Sequence, residues 1–401
     1  MIRILSIFGT RPEALKMAPV VSALAAEPAV HSIVCVTGQH RQMLDQVLTL
    51  FDIHPDHDLA LMAAGQTLSD LTARTLTALD PVILAEKPDC ILVHGDTTTA
   101  MAAAVAAFHR RIPIGHVEAG LRTRDLSQPW PEEFNRRVVD VVAGLLFAPT
   151  ATAKANLKAE SVAGRILVTG NTVIDALQET VRRLDADPAL RAGLDARFAF
   201  LRPGHRLLLV TGHRRENFGA GFEGICTALA TLARRTDLDI VYPVHLNPNV
   251  LGPVTAALSG FSNVHLIEPL DYLPFVHLMR RADVVLTDSG GVQEEAPSLG
   301  RPVLVMREVT ERPEALAAGT VRLVGTHPDR IIEGVSRLLD DEGERGRFSR
   351  TINPYGNGHA AHRIVACLLG RPFDEFEPDL RVPDLPKSRV PQPAMPNGRL
   401  V

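Results

Sequence analysis

A chain of 401 residues is longer than one hydrophobic core ordinarily fills, so two domains are expected. Its 42 Lys and Arg stand against 46 Asp and Glu, a formal net charge of -4, and no basic block supplies the electrostatic footprint of a nucleic-acid binder. No apolar run approaches the roughly 20 residues of a membrane span, and the N-terminus enters at once into an apolar strand, so a cytoplasmic, soluble protein with neither membrane nor nucleic acid as partner is expected.

Short Val- and Ile-rich runs at residues 2–8, 32–37, 90–94, 112–117, 145–148 and 166–169 alternate with longer helical patterns. Continuous apolar strands separated by helices predict a parallel sheet covered on both faces. After Asn171 a helix leads into residues 185–205, which have weak strand character. The rhythm restarts at 207–210 and continues through 240–244, 264–267, 284–287, 302–306 and 322–324. The fold class read from this is α/β, with two Rossmann-like, doubly wound parallel-sheet domains. Cys35, Cys90, Cys226 and Cys367 sit singly within or beside apolar residues and read as buried thiols. From Arg371 on, seven prolines in 31 residues and the loss of apolar periodicity read as a tail with little structure of its own.

In such sheets ligands bind beyond the carboxyl ends of the strands, so the residues just after each strand carry the functional signal. The segment 287–296 (TDSGGVQEEA) ends a strand, offers Gly290 and Gly291 for close approach of a ligand, and opens a helix whose free N–H groups suit an anion. Ser289 adds a hydroxyl there, or serves as an ordinary helix cap. Glu295 stands one turn in, able to accept from ribose hydroxyls or to complement the helix dipole. Arg11 and Lys16 flank the first strand-to-helix turn, which has neither Gly-x-Gly-x-x-Gly nor a P-loop pattern; a diphosphate clamp is what it permits. Asp96, Glu118 and Glu132 are carboxylates placed where a substrate would lie, and carboxylates sharing a cleft push one another's proton affinities apart. For Asp96 the structural alternative is capping the helix that starts near Thr97. His213, followed by Arg214 and Arg215, suits phosphate or leaving-group contact. His40, His94, His116 and His245 lack zinc-like spacing, so no metal is expected.

Together the segments 8–14 (FGTRPEA), 94–99 (HGDTTT), 115–122 (GHVEAGLR), 131–133 (PEE), 169–172 (TGNT), 212–216 (GHRRE) and 287–295 (TDSGGVQEE) closely resemble the bacterial non-hydrolysing UDP-N-acetylglucosamine 2-epimerases, from Ile2 to about Leu369. The resemblance implies a glycosyltransferase-B fold, two domains facing a cleft. The N-terminal domain would span 1–171, the UDP-binding domain 172–355, a helix at 356–370 would return to the first domain, and 371–401 would be the tail. It implies reversible conversion of UDP-GlcNAc to UDP-ManNAc through anti elimination of UDP, a 2-acetamidoglucal intermediate and re-addition of UDP, with no cofactor. Arg11, Lys16, Asp96, Glu118, His213, Leu270, Phe275, Ser289, Gly290, Gly291, Glu295 and Arg312 match positions at the nucleotide sugar. Asp96, Glu118 and Glu132 match those tied to proton transfer, and His213 joins them as a catalytic candidate. Leu270 stands where a close relative has Gln, so a side-chain bond to the base is in doubt there. Gln39, Gln42, Glu132, Arg214 and His245 match positions that hold a second UDP-GlcNAc as an allosteric activator in some members, although Gly65 replaces a contributing Arg. The family also implies a homodimer and domain closure on UDP. Readings weighed beside it are a hydrolysing epimerase releasing ManNAc and UDP, an epimerase for a related UDP-diacetamido sugar, a glycosyltransferase of the same fold, and an inactive nucleotide-sugar sensor.

Overall fold

The computed structural model describes residues 1–38, 41–63, 65–310, 312–349 and 353–378. Strands β1 (Ile2–Phe8), β2 (Val30–Val36), β3 (His57–Asp58), β4 (Cys90–His94), β5 (Ile114–Val117), β6 (Leu145–Ala148) and β7 (Arg165–Val168) form one sheet in the order β3-β2-β1-β4-β5-β6-β7. Strands β8 (Arg206–Thr211), β9 (Leu238–Pro243), β10 (Val264–Ile267), β11 (Val284–Thr287), β12 (Val303–Val305) and β13 (Val321–Leu323) form the second, ordered β10-β9-β8-β11-β12-β13. All pairings within both sheets are parallel.

The near-continuous apolar strands are explained by burial on both faces. In the first sheet Ile4, Phe8, Val34, Val36 and Leu92 enter one core, while Leu5, Ile7, Ile33, Cys35, Ile91 and Val93 enter the other. That is the two-residue period of a strand, with both faces apolar. The second sheet repeats it, Leu208, Val210, Ile240 and Leu286 opposing Leu207, Leu209, Val241 and Val285. In each sheet the strand order reverses once, between β1 and β4 and between β8 and β11. Connections leave to opposite sides at such a point, opening a crevice past the strand ends. Gly9 to Arg11 and Gly95-Asp96 occupy the first crevice; Gly212-His213 and Asp288-Ser289 occupy the second.

One strand is absent from the sequence reading. The edge strand β3 is two polar residues long and has no apolar run to announce it. Residues 185–205 hold no strand: the helix Thr172–Ala186 is followed by the helix Pro188–Arg197, whose first turn is capped by Asp187 accepting from the N–H groups of Ala189 and Leu190. Pro188 at the first helical position and Asp187 before it are the helix-start signals, in keeping with the weak strand character of this stretch.

The helix Thr172–Ala186 lies between the domains, giving Ala176 to the first core and Val173, Ile174 and Leu177 to the second. The helix Ala360–Leu368 returns to the first domain, where Ala361, Ile364, Val365 and Cys367 are buried. It lacks a cap of its own; Asp175 supplies one, accepting from the N–H groups of Ala360 at 3.2 Å and Ala361 at 2.9 Å. Residues 371–378 form neither helix nor strand, yet they are not detached. Phe376 is buried, its N–H donates to the Val168 carbonyl on β7, and Glu375 accepts from the Val168 N–H and from Lys154 Nζ. Two Rossmann-like domains face each other across a cleft, the glycosyltransferase-B arrangement. Among the described residues no helix is long and apolar enough to cross a membrane.

Because Asp175 satisfies two buried N–H groups of another helix, Asp175→Ala is expected to cost about 1–2 kcal/mol. A lower urea midpoint would register this, and an unchanged one would contradict the docking role.

Candidate active site

At the floor of the cleft lies a group of buried charges drawn from both domains. Glu118, the first residue after β5, adopts φ +68°, a left-handed conformation unusual for a residue with a side chain. Its carboxylate is ion-paired with Lys16 and accepts from Asn171 Nδ2 at 2.9 Å. The same amide reaches Glu294 of the second domain at 3.1 Å, and Glu294 accepts from Arg312 Nε at 2.8 Å. Burial opposes both charges of the Lys16–Glu118 pair, but their mutual attraction overrides it. Lys16 is therefore held protonated, with Glu294 adding to the effect, and Glu118 ionised. His94, at the end of β4, has Nε2 3.5 Å from Glu118, and burial drives its imidazole down to about 3, so it is neutral.

Asp96 stands beside this group in a turn opened by Gly95 at φ +64°. It does not cap the following helix; Thr97 does, accepting from the Ala100 N–H. The Asp96 carboxylate instead accepts from Arg136 Nη2 at 2.6 Å and its carbonyl from Asn135 Nδ2 at 2.9 Å. Burial raises the Asp96 carboxyl; Arg136 opposes this, and Glu118 and Glu132 add to it. Glu132 is the first residue of the helix Glu132–Val142, and among the described residues its side chain makes no hydrogen bond. Its neighbour Glu133 is fully buried and holds the N–H groups of Thr123 and Arg124.

On the second domain, buried Asp288 braces the loop after β8: one oxygen accepts from the N–H groups of His213 and Arg214, both at 2.8 Å, and from Asn217. The other faces His213 Nδ1 at 3.4 Å. Burial lowers the His213 imidazole, Asp288 opposing and Arg214 and His245 assisting. Ser289 precedes the helix Gly290–Ser298 without capping it through its side chain. A Cβ on Gly290 would stand 2.7 Å from the Arg312 guanidinium, so glycine is what lets Arg312 lie over the helix start. Glu295 is buried and accepts from the Tyr272 hydroxyl at 2.5 Å. Arg11 looks across a groove of about 640 Å³ at Asp271, Tyr272 and Pro274, and among the described residues its guanidinium has no hydrogen bond or ion pair.

The first domain thus carries Arg11, Lys16, Asp96, Glu118 and Glu132 and the second His213, Ser289, Gly290, Gly291, Glu295 and Arg312, with Lys16 and Glu118 meeting Glu294 and Arg312 between them. Phe275 is half-buried on the helix Tyr272–Arg281, and Leu270 is buried in the second core, which leaves its backbone for any polar contact. Of the residues matched to an activator site, His245 stacks on His213 at 5.7 Å and Arg214 is fixed by Asp288. Gln39 lies outside the described residues, and for Gln42 only the helical backbone is described. Gly65 is exposed, with open space around its Cα.

Asn171, Glu294, Asn135, Arg136 and Tyr272 were not singled out from sequence. Arg136 follows Glu132 by one helical turn, a spacing that places both on one face. Glu294 and Glu295 are adjacent in sequence, so the motif contained both without distinguishing the one bound by Arg312 from the one bound by Tyr272.

The family profile described as UDP-N-acetylglucosamine 2-epimerase matches residues 22–369. The chain is 58% identical over 368 residues to a UDP-N-acetylglucosamine 2-epimerase of Yersinia pestis, covering 91% of this chain and 98% of that protein. The Escherichia coli K12 enzyme of the same name is equally similar, 58% identical over 368 residues with the same 91% and 98% coverage. The crystal structure of UDP-GlcNAc 2-epimerase from Neisseria meningitidis bound to UDP-GlcNAc superposes with a TM-score of 0.86 at 49% identity, covering 92% of this chain and 100% of that one.

Burial lifts the Glu295 carboxyl from 4.5 to about 7, with the Tyr272 hydroxyl opposing and Glu294 assisting. The folded protein therefore binds this proton more tightly than the unfolded chain. The stability linked to it is complete below pH 4.5 and is lost as pH rises through about 7. Glu295→Gln has no proton to lose, so its stability relative to the parent should rise between about pH 5 and about pH 8, by an amount on the order of a few kcal/mol. Chemical denaturation at the two pH values checks it, and an unchanged difference would contradict the assigned environment.

Proposed function

The chain belongs to the UDP-N-acetylglucosamine 2-epimerase family, and from that premise we propose that it interconverts UDP-N-acetylglucosamine and UDP-N-acetylmannosamine, without hydrolysis, by removing and restoring the hydrogen at C2 of the sugar. The observation that carries the reading is the division of labour across one cleft. Asp96, Glu118 and Glu132 stand on the first domain, and Glu118 meets, through Asn171, Glu294 of the helix that opens at Gly290 on the second.

C2–H of an acetamido sugar is a poor acid, so its removal has to be joined to departure of a good leaving group. In the proposed elimination a carboxylate takes the C2 proton, the electron pair forms the C1–C2 double bond, and the C1–O bond breaks to release UDP. In the return step a diphosphate oxygen bonds C1 while C2 takes a proton on its opposite face. Two proton-handling groups are needed, together with a fixed cradle for the diphosphate charge. Glu118, held ionised, and Asp96, raised by burial, offer carboxyl groups of unlike proton affinity side by side. Arg11, free of protein partners, and the N–H groups at Gly290 suit the diphosphate. Glu295 and Phe275 suit the ribose and base. The intermediate would be 2-acetamidoglucal, retained by the enclosing domains.

Incubation of purified protein with UDP-GlcNAc in deuterated buffer, without NAD or added metal, should give a mixture of both nucleotide sugars carrying deuterium at C2 by NMR. Retention of the original hydrogen during turnover would exclude this chemistry, and accumulation of free sugar with equal UDP would select hydrolysis. Asp96→Asn, Glu118→Gln and Glu132→Gln should each lower kcat by about 10²- to 10⁴-fold with a much smaller change in UDP affinity, whereas Arg11→Ala should weaken UDP binding itself. Near-normal kcat in all three carboxamide variants would remove the carboxylates from the mechanism.

A further inference from the structure

The helix Glu132–Val142 presents more than Glu132 to the site. Asn135, Arg136 and Asp140 follow at helical spacing, and all are buried. Asn135 and Arg136 hold the carbonyl and carboxylate of Asp96. Asp140 lies 2.6 Å from Nδ1 of His116 on β5, and both side chains are completely inaccessible to solvent. The other ring nitrogen, Nε2, lies 2.8 Å from the carbonyl oxygen of Gly95.

A peptide carbonyl can only accept, so Nε2 bears a hydrogen. Asp140 also lies 2.8 Å from the Arg122 guanidinium. Burial raises its carboxyl, but His116 and Arg122 together outweigh that and hold it ionised. Both ring nitrogens are thus engaged, and the ring is sealed beneath the turn that carries Asp96.

We propose that Asp140 and His116 form the positioning pair of the epimerisation site: Asp140 fixes the ring at Nδ1, and the ring grips the Gly95 carbonyl through its Nε2–H, setting the turn from which Asp96 reaches the sugar. The inference rests on the epimerase reading above and names residues which that reading does not use. The Gly95 N–H donates to the Val117 carbonyl at 3.0 Å, so the turn is held from both ends of this one residue. Release of the carbonyl frees the Gly95–Asp96 peptide to rotate, which moves the Asp96 carboxyl relative to C2. A displacement of roughly 1 Å at a reacting group is enough for about a hundredfold loss. Packing alone does not account for the pair, because a buried ion pair contributes less to stability than apolar residues of the same volume often do.

Asp140→Asn removes the charge and nearly preserves the shape. It should lower kcat by about 10- to 100-fold while UDP affinity changes by less than about threefold. Nitrogen-15 NMR of histidine-labelled protein should show His116 Nε2 protonated and hydrogen-bonded in the parent, with that signal shifted in D140N. A parent ring with a bare Nε2, or a folded D140N with unchanged kcat, would overturn the proposal. The parent spectrum decides whether or not the variant folds. Failure of the epimerase reading is separately visible as a parent protein that does not epimerise while its ring spectrum is as expected.

Discussion

The site depends on one constraint: charges withdrawn from water must be answered by other charges within reach. Lys16, Glu118, Glu294 and Arg312 meet between the domains with Asn171 between two of them, and no member is tolerable there alone. Removing one partner leaves an uncompensated buried charge, which costs more than the pair contributes. The alternating signs therefore fix the spacing of the first-domain carboxylate, the interdomain helix start at Asn171 and the second-domain helix start. Glu118 keeps its left-handed backbone because Lys16 and Asn171 hold its carboxylate from two sides.

Around that cluster the two sheets perform different tasks with one topology. The switch between β1 and β4 places carboxylates and neutral His94, whereas the switch between β8 and β11 places backbone N–H groups, a histidine loop and a glycine that admits Arg312. Each crevice is built from supports buried deeper than the residues they aim. Asp288 aims the His213 loop, Glu133 the Thr123–Arg124 turn, and the helix Glu132–Val142 the Asp96 turn.

Much of this was legible in the chain itself. The strand cores, the two-sheet repetition and the polar clusters after the strands were all visible, because parallel strands buried on both faces leave continuous apolar runs and force polarity to their ends. The edge strand His57–Asp58 was not, since two polar residues carry no period. Residues 185–205 showed only weak strand character, and the helix there is announced by its caps. Within the candidate site, residues adjacent to a strand end carry a local signal, while supports that arrive from a different element do not. Asn171 was visible as a helix start, but its reach to both Glu118 and Glu294 depends on a meeting of the domains that no local spacing encodes. Asp140 lay inside an ordinary amphipathic helix and gave no sign of His116 above it.

The return of the chain to the first domain has a mechanical consequence. The backbone passes between the domains twice, at Asn171 and again near Tyr355, and the two passages are joined side by side, the Asn171 N–H donating to the Tyr355 carbonyl at 2.6 Å. The helix Ala360–Leu368, Arg363 on the Thr169 carbonyl and Phe376 on β7 anchor the second passage to the same body as the first. Two adjacent tethers fixed to one frame behave like a door on a pin: swinging across the line that joins them is soft, and twisting about the tether direction is stiff. Any relative displacement of Arg11 and Tyr272 must therefore bend both passages together.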